Sequence, residues 1–128
     1  LVSDQEIFQA GLVQYREYLG SATLSSNSSA TAMVKNVGQK LADATESYLR
    51  ANGFESEISN FAWEFNLVKD TQVNAFCMPG GKIVVYEGLL SVAKTEAENN
   101  EYIETIFDNC TIDDYNVYCY LTSSDINY

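Results

Sequence analysis

The hydrophobic period of this chain changes once, near Ser59, and that switch constrains the fold more than any other feature. Before it, apolar residues recur every three or four positions; after it, they alternate. Ile7, Phe8, Leu12, Tyr15 and Leu19 share one helical face, so the spacing predicts an amphipathic helix over 4–19. Ser3-Asp4-Gln5-Glu6 is a capping box at its start, and Gly20 is the expected stop. Ser21 to Thr31 is rich in Ser, Asn and Ala without periodicity, which reads as a mobile loop. Met33, Val34, Val37, Leu41, Ala44, Tyr48 and Leu49 predict a second helix from about Ala30 to Ala51, ended by Asn52-Gly53 as a left-handed cap. That stripe suits either a partner or the chain's own sheet, and packing on a sheet is the commoner use.

Past the switch, Phe61, Trp63, Phe65 and Leu67 alternate with Ala62, Glu64, Asn66 and Val68, the pattern of a half-buried strand. Lys69-Asp70-Thr71 turns the chain, and Val73–Met78 and Lys82–Tyr86 read as two more strands around a Pro79-Gly80-Gly81 turn. Leu89, Leu90, Val92 and Ala93 return to helical spacing. Tyr102, Ile103, Ile106 and Phe107 keep it to about Asn109. Asp113-Asp114 reads as a turn, and Tyr115, Val117, Cys119 and Leu121 as an extra strand. The fold class expected is α+β: two amino-terminal helices, a small three-stranded antiparallel meander, then a helix and an extra strand. At 128 residues the chain fits one domain with a core of its own.

Composition narrows the chemistry. Eighteen acids against seven bases give a net charge of −11, which argues against nucleic-acid phosphate as a partner. An acidic mimic of nucleic acid has only that charge in its favour. All seven bases fall before residue 95, whereas 95–128 hold eight acids, no base and five of the nine tyrosines. There is no histidine, which excludes His general bases, Ser/His and Cys/His nucleophile pairs and His-ligated metals in this chain. Cys77, Cys110 and Cys119 allow at most one internal disulfide, and read most simply as small apolar core residues rather than a zinc set. No apolar run reaches the ~20 residues of a membrane span. The opening Leu1-Val2-Ser3 reads as a mature end rather than a signal peptide.

The segment Val73-Asn74-Ala75-Phe76-Cys77-Met78-Pro79-Gly80-Gly81-Lys82-Ile83-Val84-Val85-Tyr86-Glu87-Gly88-Leu89-Leu90 is the most distinctive. It resembles the hairpin ahead of the active-site helix in the HtpX-like zinc metallopeptidases, the group that also holds the CaaX prenyl proteases. Trp63-Glu64-Phe65-Asn66-Leu67-Val68-Lys69-Asp70 and the helix ending in Asn52-Gly53-Phe54 resemble that family's bacterial, lipoprotein-type members. The likeness spans roughly 1–98. It implies a zincin-like scaffold, truncated or altered, with 1–98 as the metallopeptidase-like part and 99–128 as an acidic, Tyr-rich tail packed on the same domain.

The resemblance also implies roles. An extended peptide can add to an exposed strand, main-chain hydrogen bonds supplying affinity. Asn74, Ala75, Phe76, Cys77, Met78, Pro79, Gly80 and Gly81 would form that substrate edge, although the same residues suffice if they only shape a turn. In the family a T-E-x-E stretch leads into a helix bearing H-E-x-x-H, whose two His bind zinc while the Glu activates the bound water. Thr95-Glu96-Ala97-Glu98 is present here. The positions that should then carry His, Glu and His are Thr105, Ile106 and Asn109, which can neither ligate zinc competitively nor take a proton. No catalytic residue, metal ligand or cofactor is therefore expected in this chain, although zinc is expected in the family.

Glu101, Glu104, Asp108, Asp113 and Asp114 could hold calcium, but without EF-hand spacing they read as solvated charge. Nothing points to a glycosidase carboxylate pair. The expected function is that of a metallopeptidase scaffold, inactive as it stands. The alternative is a non-catalytic protein-binding or inhibitory module using the hairpin edge and the acidic tail, whose charge favours a basic protein or peptide. By resemblance, the location expected is exported, at the periplasm or cell envelope of a bacterium.

Overall fold

Why the chain builds three layers follows from its two periodicities. The computed structural model describes residues 4–92, 111–113 and 116–121. Helix α1 (Asp4–Ser21) and helix α2 (Ser28–Ala51) come first, then a single 3-10 segment (Glu55–Asn60). Strands β1 (Glu64–Val68), β2 (Ala75–Met78) and β3 (Lys82–Tyr86) follow, then the short helix α3 (Glu87–Val92). Strands β4 (Thr111–Asp113) and β5 (Asn116–Leu121) complete the described elements. The fold is α+β. Among these residues no helix is long and apolar enough to cross a membrane.

Alternation along the strands gives the sheet two apolar faces. On one face, Phe65, Leu67, Ala75, Cys77, Ile83 and Val85 meet Val34, Val37 and Ala42 of α2. On the other, Val68 and Val84 meet Tyr15 of α1, with Leu12, Tyr18, Leu19, Phe76, Met78 and Tyr86 packed around them. The sheet is thus covered by one amino-terminal helix on each side. Gly38 lets α2 approach β1 closely, since a Cβ there would lie 2.3 Å from the Phe65 ring.

The strand order is β1-β3-β2-β5-β4, and it corrects the expected meander. β3 lies between β1 and β2; it runs parallel to β1, with Glu64 opposite Lys82 and Val68 opposite Tyr86, and antiparallel to β2. The physical reason lies in β3 itself. Lys82 to Val85 are all buried, so this strand takes an interior position between β1 and β2, where both of its edges and both of its faces are covered. The connection from β1 then passes β3 before β2 returns beside it.

Several boundaries move for local reasons. Asn27 caps α2, its Oδ1 accepting from the Ala30 amide at 3.1 Å, so the helix begins at Ser28 rather than Ala30. Gly20 stays helical, and α1 ends at Ser21, whose hydroxyl donates to the Tyr18 carbonyl. The stretch read as a loop is pinned along the outer edge of β1: Lys69 donates to the Thr23 carbonyl, Ser25 donates to the Leu67 carbonyl, and Leu24 bridges Val68. Gly53, at φ +82°, ends α2 as expected. The capping serine Ser3 and the helix expected over 102–109 lie outside the described residues. β4 had no counterpart in the sequence reading.

Candidate functional site

The hairpin β2–β3 brings Asn74 to Gly81 into one unit. Asn74 opens it: its Oδ1 accepts from the Ala75 amide at 2.8 Å and its carbonyl accepts from the Tyr86 amide at 3.1 Å. Ala75 and Cys77 then point into the α2-side core, while Phe76 and Met78 turn toward α1. Phe76 meets Tyr18 and Tyr86 edge-on, at ring-centroid distances of 5.1 and 6.1 Å.

The turn is also a packing junction. Gly80 and Gly81 both have positive φ, +87° and +81°, a region that L side chains rarely occupy. Their carbonyls accept from the amides of Ala62 and Glu64, tying the hairpin tip to the entry of β1. A Cβ on Gly81 would stand 2.6 Å from the Trp63 ring, and one on Gly11 of α1 would stand 3.1 Å from Pro79. Trp63 stacks between Phe61 and Phe65 and donates its indole N–H to Glu46 of α2 at 2.9 Å. Pro79-Gly80-Gly81 therefore seats α1 on one side and the aromatic run of 61–65 on the other.

The side of β2 away from β3 is occupied by the chain itself. β5 pairs with it antiparallel, setting Ala75 opposite Leu121, Phe76 opposite Tyr120 and Cys77 opposite Cys119. Cys77 is disulfide-bonded, which corrects its reading as a plain core residue. Cysteine spacing could not reveal that bond, although the alternation of Tyr115, Val117, Cys119 and Leu121 held the signal for the strand. Thr105, Ile106 and Asn109 lie outside the described residues, as do Glu101, Glu104, Asp108 and Asp114.

A polar cluster that sequence reasoning missed lies under α1. Lys82 is buried and ion-paired to Glu64 at 2.8 Å, and its Nζ also donates to the Ala62 carbonyl. The same ammonium stands 5.9 Å from the Tyr15 ring centroid. Asn66 donates to the Tyr15 hydroxyl. Burial, reinforced by the Glu64 charge and opposed by the Asn66 hydrogen bond, pushes the Tyr15 hydroxyl up to about 12. Burial and the neighbouring Tyr86 hydroxyl also raise Tyr18. Each charge in the cluster has a partner, so its role is structural. Among the described residues no three His, Cys, Asp or Glu side chains converge as a metal site would require. An open groove of about 740 Å³ lies between β1 and α3, lined by Thr23, Lys69, Asp70, Glu87 and Ser91.

The described fold is thus a helix-flanked mixed sheet whose P-G-G hairpin leads into the short helix α3. Residues 28–101 match the sequence profile of Peptidase family M48, more than half of the chain, and the chain belongs to that family. It is 45% identical over 49 residues to the mitochondrial metalloendopeptidase OMA1 of Arabidopsis thaliana, a stretch covering 38% of this chain and 10% of that protein. It is 44% identical over 41 residues to the mitochondrial metalloendopeptidase OMA1 of Schizosaccharomyces pombe, covering 32% of this chain and 12% of the relative. The chain thus spans only about a tenth of the length of these curated relatives. Both are mitochondrial proteins of eukaryotes, which overturns the expected bacterial periplasmic location and gives no support to a lipoprotein-type subgroup.

Proposed function

We propose that this chain is the amino-terminal scaffold of an M48 metalloendopeptidase, that the likeness of its hairpin supports kinship with the HtpX-like members, and that it has no peptidase activity of its own. The observation carrying this reading is an M48-type hairpin in a chain without a single histidine. Zinc in this family needs two imidazoles and an activating Glu on one helix turn. Thr105, Ile106 and Asn109 offer a hydroxyl, a hydrocarbon and an amide at those positions, so the donor set does not fit the metal. Within such a scaffold, Asn74 to Gly81 act in peptide positioning: the β2 edge that β5 pairs in this chain is the one that would offer backbone donors and acceptors to an extended peptide once β5 is displaced, and the turn holds it in place. Residues 1–98 form the scaffold and 99–128 the acidic segment added to it. The test is casein hydrolysis by the purified chain with added zinc. The expected result is no cleavage above a zinc-only blank, and chelator-sensitive cleavage would overturn the proposal.

The occupied β2 edge favours a second reading, a non-catalytic module that binds or inhibits a protein. Adding the chain to a zinc-loaded M48 endopeptidase should then slow casein cleavage in proportion to its concentration. An unchanged rate would count against an inhibitory role.

A further inference from the structure

The β2 ladder with β5 is short: three residue pairs, from Ala75–Leu121 to Cys77–Cys119. So small a pairing holds poorly on its own. One feature strengthens it. Cys77 is fully buried and disulfide-bonded, and Cys119 is its directly opposed register partner. Directly opposed residues in an antiparallel pair have Cα atoms about 4.5–5.5 Å apart, inside the roughly 4.4–6.8 Å that a disulfide requires. The third cysteine, Cys110, precedes Thr111 of β4, and β4 pairs with the far side of β5. That strand stands two strand spacings, about 10 Å, from β2.

We propose that Cys77 is bonded to Cys119 and that this bond latches β5 over the β2 edge, so that the edge opens only on reduction. The inference rests on reading β2 as the peptide-binding edge; the bond adds its control. Opening is a two-electron thiol–disulfide exchange with a dithiol. A thiolate of the reductant attacks one sulfur and forms a mixed disulfide. The first protein sulfur leaves as a thiolate; the reductant's second thiol then displaces the other, the reductant leaves as a cyclic disulfide, and the two cysteines take up the two protons it gave up. β5, no longer tethered, becomes exchangeable with another extended chain.

The latch is tested on the full 128-residue chain. Non-reducing peptide mapping should recover the peptides holding Cys77 and Cys119 as one linked species; a Cys77–Cys110 link overturns the proposal. Amide hydrogen exchange should then show Ala75–Met78 exchanging at least about tenfold faster after dithiothreitol, with Val84 and Val85 of interior β3 unchanged. Unchanged exchange in β2 overturns the latch. Cys119→Ser should give the open pattern without reductant, separating loss of the bond from any other effect of the reagent. Finally, a fluorescent peptide copying residues 115–122 with Cys119→Ser should bind the reduced chain at least about tenfold more tightly than the oxidised one. If β2 opens and the peptide still fails to bind, the peptide-edge reading falls while the latch stands.

Discussion

At Gly38 helix α2 lies close against Phe65 of β1, and a single methyl group tests the packing there. An added Cβ would overlap the Phe65 ring at 2.3 Å, against a ring wedged beside Trp63. Gly38→Ala gains up to about 1 kcal/mol in helix propensity, yet overpacking costs about 1–3 kcal/mol. The net result should be a lower urea midpoint. On the opposite face, Tyr15→Phe leaves the Asn66 amide without its acceptor and should cost about 1–3 kcal/mol near neutral pH. Tyr15 also sets a pH dependence. The folded state holds its proton to about 12, whereas an unfolded tyrosine releases it near 10. Stability is therefore fully present below about pH 10 and falls as pH rises from about 10 to 12. Tyr18 acts in the same direction, so Tyr15→Phe should flatten this alkaline slope without abolishing it. Urea titrations at pH 9 and pH 11 measure both effects. A variant as alkali-sensitive as the parent would refute the assignment to Tyr15.

At the scale of elements, the start of α2 hangs on one side chain. Asn27 is the residue that turns an unpatterned stretch into a helix start, so Asn27→Ala should cost about 1 kcal/mol, read as a fall in thermal midpoint. No change would mean that the cap is redundant with the Thr31 bonds to the Asn27 carbonyl. The helices and the P-G-G hairpin were legible because each depends on local chemistry: apolar spacing, Gly53 at positive φ, Pro79 before two glycines. Strand order was not, because β1 and β3 pair across an intervening strand, and alternation within a strand does not say which neighbour it takes. The run Lys82-Ile83-Val84-Val85 did carry the relevant signal, since a strand buried on both faces belongs in the interior of a sheet. The lysine within it obscured that signal until Glu64 and the Ala62 carbonyl were seen to satisfy its charge.

At the scale of the whole molecule, the family was legible from one contiguous motif, Asn74 to Leu90, because that motif meets several constraints at once. It turns the chain, seats α1 through Pro79, stacks Trp63 on Gly81 and brings Gly88 against the Thr71 and Gln72 carbonyls. What the sequence could not reveal was that the β2 edge is already paired, since that depends on the register of a strand some forty residues away. On the function proposed above, this M48 family chain lacks the donor set to hold zinc. The most direct measurement is native mass spectrometry of the 128-residue chain after incubation with equimolar zinc and desalting. The account predicts the mass of the metal-free chain. A stoichiometric zinc adduct, lost on treatment with a chelator, would contradict it.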